Sequence, residues 1–409
     1  MIIAALPLLK RALAWVAGFA VAVLLMASGA MQPLDNALYD AHMRHWSYTT
    51  DDQVVIVAID PQSLAALGNW PLPRSVHAQL IRRLTEAGVR GIGMDVTMAE
   101  ADVNHPDNDH TYAEAIHDNG HVVMPVFAEA AELGGVLEEV LPIPEIARNA
   151  AAFGHVDASK DPDGVTRGVY LKAGLGQPQW SALALALYDI GQPSPLHPLP
   201  GLHQPEGTAK SPYEWVRDDY VLVRFANSAG AFNQVSYVDV LQGRVPDAML
   251  KGRWVLIGAT AAGLGDQLAT SASSPNNPMP GVEYQANILE SLHDGRLITP
   301  LNLTAQLLLG SFVLALPLLI HGLLGKRRIR VLAALSLSMI VLMSLLLLRA
   351  GGVWWPPTGW MLIVAAGLAL HAAIRRLEVR RDLKHAQQAN TAKTWWQPLV
   401  TDARNPQRA

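Results

Sequence analysis

The run Val54-Val55-Ile56-Val57-Ala58-Ile59-Asp60 decides the fold. Its apolar, largely β-branched residues end on a carboxylate followed by Pro61, which is how a short strand reads. Further runs of the same kind lie at Val89–Met94, His121–Val126, Tyr220–Phe225 and Trp254–Ile257. Stretches with apolar residues at helical spacing lie among them: Val76–Ala87, Pro144–Ala152, Trp180–Ile190 and Val282–Leu292. Ser75 is placed to cap the first of these and Gly88 to end it. Strands alternating with helices predict an α/β domain with a largely parallel or mixed sheet. Gly154–Leu171 departs from the alternation, because Asp161-Pro162-Asp163-Gly164 is a tight-turn signal and predicts a hairpin. Residues 191–219, rich in Pro and Gly, predict a surface loop.

Two of these strands end in acids, Asp60 and Asp95, and open α/β sheets collect ligands at strand carboxyl ends. With Arg74 they make a candidate ligand site, set against a plainer role in capping and ion pairing. The loop Gly258-Ala259-Thr260-Ala261-Ala262-Gly263-Leu264-Gly265-Asp266 follows another strand and adds Asp266 to the candidates. It lacks the Gly-Lys-Ser/Thr ending of a phosphate-binding loop, and no helix begins within it. Asp163, Gly164 and Arg167 read as a turn with its supporting ion pair, Gly164 supplying a positive φ. His105, His110, His117 and His121 cluster in an acidic stretch, but the break at Asn119-Gly120 spoils helical metal-ligand spacing, so no metal site is assigned. Glu283 and Asn287, four apart on the last helix of the domain, are candidates for passing movement onward, with a surface or capping role as the alternative.

Hydrophobic residues make up 50% of the 409 residues and charged ones 16%, and the apolar residues cluster. Ala12–Met31, Leu303–Leu324, Val331–Leu348 and Val353–Ile374 each approach the ~20 apolar residues needed to cross a bilayer as a helix. Lys10 and Arg11, Lys326 to Arg330, and Arg375 to Lys384 then share one side, which the positive-inside rule makes cytoplasmic. Residues 32–302 lie outside, and 1–11 and 375–409 inside. Trp354, Trp355 and Trp360 suit an interfacial belt. Ser28-Gly29-Ala30 leaves signal-peptide cleavage as an alternative for the first span. The outer segment carries 32 acidic and 16 basic residues, a net of −16, which argues against a nucleic-acid partner. There are no cysteines, so disulfides, thiolate metal sites and thiol nucleophiles are excluded.

Several segments, taken in order, resemble the CHASE type 2 family of extracellular sensor domains. They are Val54–Gly68, Trp70–His77, Gly91–Val96, Gly154–Val156 with Asp161–Arg167, Val235–Gly243, Val255–Asp266 and Pro280–Asn287. The resemblance runs from about Asp35 through the fourth span. It implies an input domain for an unidentified ligand, usually joined to a cytoplasmic cyclase, diguanylate cyclase or kinase. Only the short segment after Ile374 follows here, without a recognisable catalytic motif. The leading expectation is therefore a receptor module without catalysis or cofactor. Its partners would be the lipid bilayer, a small-molecule or envelope ligand, and a cytoplasmic effector, with a homodimer left open. The alternatives are the input half of a longer cyclase or kinase, and a structural protein of an envelope complex. No Gly-x-Ser-x-Gly elbow supports a hydrolase.

Overall fold

The structure is a computed structural model that describes residues 2–46, 48–68, 70–130, 135–190, 192, 195–203, 209–226, 230–264, 267–273, 277–321 and 329–402. The chain opens with helices α1 (Ile2–Ala27) and α2 (Gln32–Arg44). Next come β1 (Val54–Ile59), α3 (Pro61–Leu67), α4 (Arg74–Ala87), β2 (Gly91–Asp95), α5 (Pro106–Asn119), β3 (Val122–Ala130) and β4 (Leu137–Val140). The middle holds α6 (Pro144–Ala147), β5 (Ala152–His155), β6 (Gly168–Leu175), β7 (Trp180–Ala182), α7 (Leu183–Ile190) and β8 (Trp215–Leu222). Then follow β9 (Asn233–Ser236), α8 (Tyr237–Leu241), β10 (Trp254–Ala259), β11 (Gln267–Leu268), β12 (Met279–Pro280), α9 (Gly281–His293) and β13 (Thr299–Pro300). The chain ends with α10 (Leu303–His321), α11 (Ile329–Gly351), β14 (Val353–Trp354) and α12 (Thr358–Asp402).

Two compact units result. The larger comprises Pro33–Asn302 with Leu346–Trp355. It is built on a ten-stranded sheet of order β8-β6-β7-β5-β3-β2-β10-β1-β9, with β4 paired to β3. The seven strands from β7 to β9 along this order are parallel, whereas β6, β8 and β4 run antiparallel to their neighbours. β1 is an interior strand, between β10 and the edge strand β9, and all six of its side chains are apolar and buried because both faces of the sheet are covered there. Val54, Ile56 and Ala58 point into one core with Leu183, Leu187 and Ile288 of α7 and α9. Val55, Val57 and Ile59 point into the other with Leu80, Leu84 and Ile116 of α4 and α5. Burying each such side chain contributes about 1.5–3 kcal/mol, which holds the helices on both sides. A third cluster joins Tyr39 and Met43 of α2 to Ile298, Leu348 and Trp354.

Several local expectations are corrected. The Asp161–Gly164 turn forms, with Gly164 at φ +81° and its N–H 2.8 Å from the Asp161 carbonyl. Its flanking strands do not pair as a hairpin, because β7 lies between β5 and β6. Trp180–Ala182 is strand rather than helix, since it pairs with both of those neighbours. The helix expected over Pro144–Ala152 ends at Ala147, and Ala152 is drawn into register beside Val123. Ser75 lies inside α4, whose cap position is Pro73, whereas Gly88 ends the helix in the left-handed region at φ +73°. β8 takes in Trp215–Asp219, so the loop over 191–219 is shorter than expected.

The smaller unit comprises Met1–Gln32, Leu303–Leu345 and Pro356–Ala409. Among the described residues one helix, Val331–Gly351, is long and apolar enough to cross a membrane. A break at residues 28–31 separates the apolar Val16–Ala27 from Gln32–Arg44, a pair that passes the same test only if taken as one span. Leu303–Val313 and Thr358–Ala369 are shorter apolar helices. The expected fourth span is reshaped: Val353–Trp354 pairs with Thr299–Pro300 as strand, and α12 runs unbroken from Thr358 to Asp402. Trp354, Trp355 and Trp360 are buried inside protein rather than forming an exposed belt. A Cβ at Gly310 would lie 2.0 Å from the Trp360 ring, so α10 needs glycine where it crosses that indole. Lys326, Arg327 and Arg328 lie outside the described residues.

Candidate ligand-binding site

The parallel strands deliver their carboxyl ends to one rim of the sheet, and a cavity of about 850 Å³ opens there. Asp95 ends β2, Phe127 and Ala128 come from β3, Val156 and Asp157 follow β5, and Ala259 ends β10. Trp215 and Arg217 enter from β8, two residues apart and therefore on one face of the strand. The first turn of α9 closes the cavity with Gly281, Tyr284 and Gln285. Gly258 permits this approach: a Cβ there would lie 2.7 Å from that of Val282 and 3.2 Å from that of Asp95.

The cavity sets the aromatic side chains of Trp70, Phe127, Trp215 and Tyr284 among polar and charged groups, which form the larger part of its surface. Arg217 Nη2 donates to Asp157 Oδ1 at 3.1 Å, and Trp215 Nε1 donates to Asp157 Oδ2 at 3.2 Å. Burial alone would raise the Asp157 carboxyl, but hydrogen bonding and charge from Arg217 hold it below its ordinary value. Behind it His155 is fully buried, and burial pushes its imidazole down to about 4, so it is neutral at physiological pH. Gln285 is 3% exposed, and its Oε1 is buried without a hydrogen-bond partner among the described residues. A buried amide oxygen left unpaired costs about 1–3 kcal/mol, which a ligand donor would recover. Asp95, Asp157, Lys160 and Arg217 balance in charge around the lining.

The sequence candidates are dispersed around this rim. Asp60 caps α3, accepting from the Ser63 amide at 2.8 Å, the Ser63 hydroxyl at 2.6 Å and the Ser236 hydroxyl at 2.9 Å. It lines a neighbouring cavity of about 550 Å³ with Thr260, Gln267 and Glu283, and Gly263 borders both cavities. Asp95 lines the larger cavity. Arg74 turns to α5, its Nε 2.6 Å from the buried carboxylate of Asp109. Asp266 lies outside the described residues.

Glu283 and Asn287 are both buried rather than on the surface. Glu283 Oε1 accepts from the Gly230 amide at 2.6 Å and also from that of Ala231. Burial still leaves its carboxyl raised above the ordinary range. Asn287 Oδ1 accepts from the Ala226 amide at 2.8 Å, and its Nδ2 donates to the Glu283 carbonyl. Together they pin α9 to the segment after β8.

Arg167 is a hub. It donates to Asp161 and Asp163 in the turn and, through Nε and Nη2, to both carboxylate oxygens of Asp40 on α2. His110 pairs with Glu114 and Glu145. The described three-residue groups whose ligand atoms lie close enough for a metal are Asp51, His293 and Asp294, and His203, Asp218 and Asp219, none from the expected histidine cluster.

A family model described as the CHASE2 domain matches residues 16–322, most of the chain. This chain belongs to the CHASE2 family. CHASE2 is an extracellular sensor domain of signalling proteins and is sensory rather than catalytic. The match begins inside α1, earlier than the motif resemblance, and ends before α11. No curated protein and no solved structure matches the chain. Within this CHASE2 domain the residues missed from sequence are Asp157, Trp215, Arg217 and Gln285. Asp157 obeys the same strand-end rule as Asp60. Trp215 and Arg217 were hidden because Tyr220 looked like the start of their strand.

Proposed function

We propose that this CHASE2 protein is a membrane-anchored receptor module that binds a small molecule in the strand-end cavity and passes the signal to a cytoplasmic effector. The carrying observation is the position of α9, whose first turn lines the cavity and whose last residue, His293, stands ten residues before α10. A ligand that draws Gln285 inward moves that helix, and packed helices shift by ~1–2 Å in such transitions. In this reading the apolar stretches of α1, α10, α11 and α12 are four spans, residues 32–302 are extracytoplasmic, and both termini are cytoplasmic. The exposed apolar side chains Leu377, Val379 and Leu383 on α12 would then meet the effector. The unbroken course of α12 favours a second reading as well, in which the helix leads rigidly into an effector domain on the same polypeptide.

The topology is tested with a reporter active only outside the cytoplasm. Fusions after Ala30 and Leu301 should be active and one after Ala409 silent; an active Ala409 fusion overturns the four-span arrangement. The cavity is tested with Gln285→Leu and Arg217→Gln in the full-length chain, screened for thermal shifts against a library of small metabolites. A compound that stabilises the parent should lose its effect in both variants. Compounds that stabilise all three alike bind elsewhere and remove the support for this cavity.

A further inference from the structure

Three arginines gather around Trp46 and Tyr48. Arg224 places its guanidinium carbon 4.1 Å from the Trp46 ring centroid, and its Nε donates to the Trp46 carbonyl at 3.1 Å. Arg349 approaches the same ring at 5.7 Å and lies 3.3 Å from His42 Nε2. Arg296 stacks on Tyr48 at 4.2 Å, with Arg224 at 5.6 Å from that ring. Arg296 is balanced by Asp294 at 2.8 Å and, more distantly, by Glu290 at 3.8 Å. Arg224 and Arg349 have no carboxylate within 4 Å among the described residues. Arg224 sits in a segment of net charge −16, where acids are plentiful. Burial and the neighbouring Arg296 and Arg349 lower the basicity of Arg224, and burial and Arg349 do the same to His42, so these groups sense one another's charge. Cation–π contact with Trp46 and Tyr48 partly compensates, but an aromatic face does not neutralise a guanidinium.

Arg349 lies in the last turn of α11, at the end of the helix that is long and apolar enough to cross a membrane. Arginines beside aromatic rings at such a helix end match the chemistry of lipid phosphates, which a guanidinium fork binds through paired hydrogen bonds. The geometry points to a binding site for the phosphodiester headgroup of an anionic phospholipid, built by Arg224, Arg349 and Trp46. It rests on the membrane-anchored reading above.

The experiment uses the full-length chain with vesicles of phosphatidylcholine alone and of phosphatidylcholine with phosphatidylglycerol of the same acyl chains. Flotation with the neutral vesicles reads the anchoring by itself; failure to float there sinks the anchored reading together with the site. Detergent-solubilised chain is then titrated with each lipid, with glycerol phosphate as a soluble competitor, and thermal unfolding is followed. Phosphatidylglycerol should stabilise at lower mole fraction than phosphatidylcholine. Arg349→Gln, at an exposed position, should weaken that preference about fivefold, as expected for one arginine near an anionic surface. Arg224→Gln should do the same, with Arg224→Lys retaining part of it. Equal stabilisation by both lipids, or an undiminished preference in Arg349→Gln, overturns the proposal. Full displacement by glycerol phosphate overturns the lipid as its source.

Discussion

Gly258 and Val282 stand in a contact that leaves no room for another atom, since a Cβ on Gly258 would approach that of Val282 to 2.7 Å. The contact joins the end of β10 to the first turn of α9, beside Asp95. Gly258→Ala should therefore destabilise the protein by about 1–3 kcal/mol, the usual cost of overpacking. Thermal or denaturant unfolding reads this. An unchanged midpoint would mean that α9 is not seated as described.

Asn287→Leu should cost a similar amount by a different route. It leaves the buried Ala226 amide without its acceptor, a loss of about 1–3 kcal/mol. Amide exchange at Ala226 should accelerate selectively, which distinguishes loss of this tether from general loosening.

Arg167→Met strips the shared cation from Asp40, Asp161 and Asp163. Breaking a buried pair from one side typically costs about 3–5 kcal/mol, and three acids left together argue for the upper end. Because Arg167 favours the charged forms of Asp161 and Asp163, these two protonate more readily without it, and the deficit should shrink as pH falls toward 4. A deficit that is independent of pH would argue against the hub.

Glu290 gives the pH dependence an opposite sense. Burial pushes its carboxyl up to about 7, with Asp51 and Asp294 opposing ionisation and the Asp51 amide and Arg296 favouring it. The native state then holds a proton that the unfolded chain has already released, so this group lowers stability as pH rises from about 4.5 through 7. Glu290→Gln should abolish that decline, being more stable than the parent at pH 8 and losing its advantage below pH 4.5. A parallel offset across the whole range would mean that Glu290 does not titrate in this window.

The legible part of the fold was the part governed by local composition. β1 and β10 are apolar from end to end, so their identity did not depend on their partners. α4 carried its own stop signal in Gly88. Trp180–Ala182 was misread because its strand character comes from β5 and β6 on either side, and no local residue encodes that. The same holds for the turn at Asp161–Gly164, whose chemistry was readable although the strand inserted between its arms was not. At the candidate site, Asp60 and Asp95 stood out as strand-end acids. Arg217 and Gln285 join Asp95 only through tertiary packing, Asp60 lines the neighbouring cavity instead, and Arg74 is paired with Asp109, a residue whose burial is invisible in an acidic stretch.

The place of β1 between β9 and β10 has a consequence for how the protein is made. Val54 pairs with Trp254, two hundred residues later in the chain. During synthesis and export an apolar strand with two open edges must wait for nearly the whole domain to emerge before either neighbour arrives. Such distant pairing is slow to form and exposes edges that invite association with other chains. Delivery of its last third is thus expected to limit maturation of this domain, and a chaperone that shields β1 until then should raise the yield of folded domain more than any change to β1 itself.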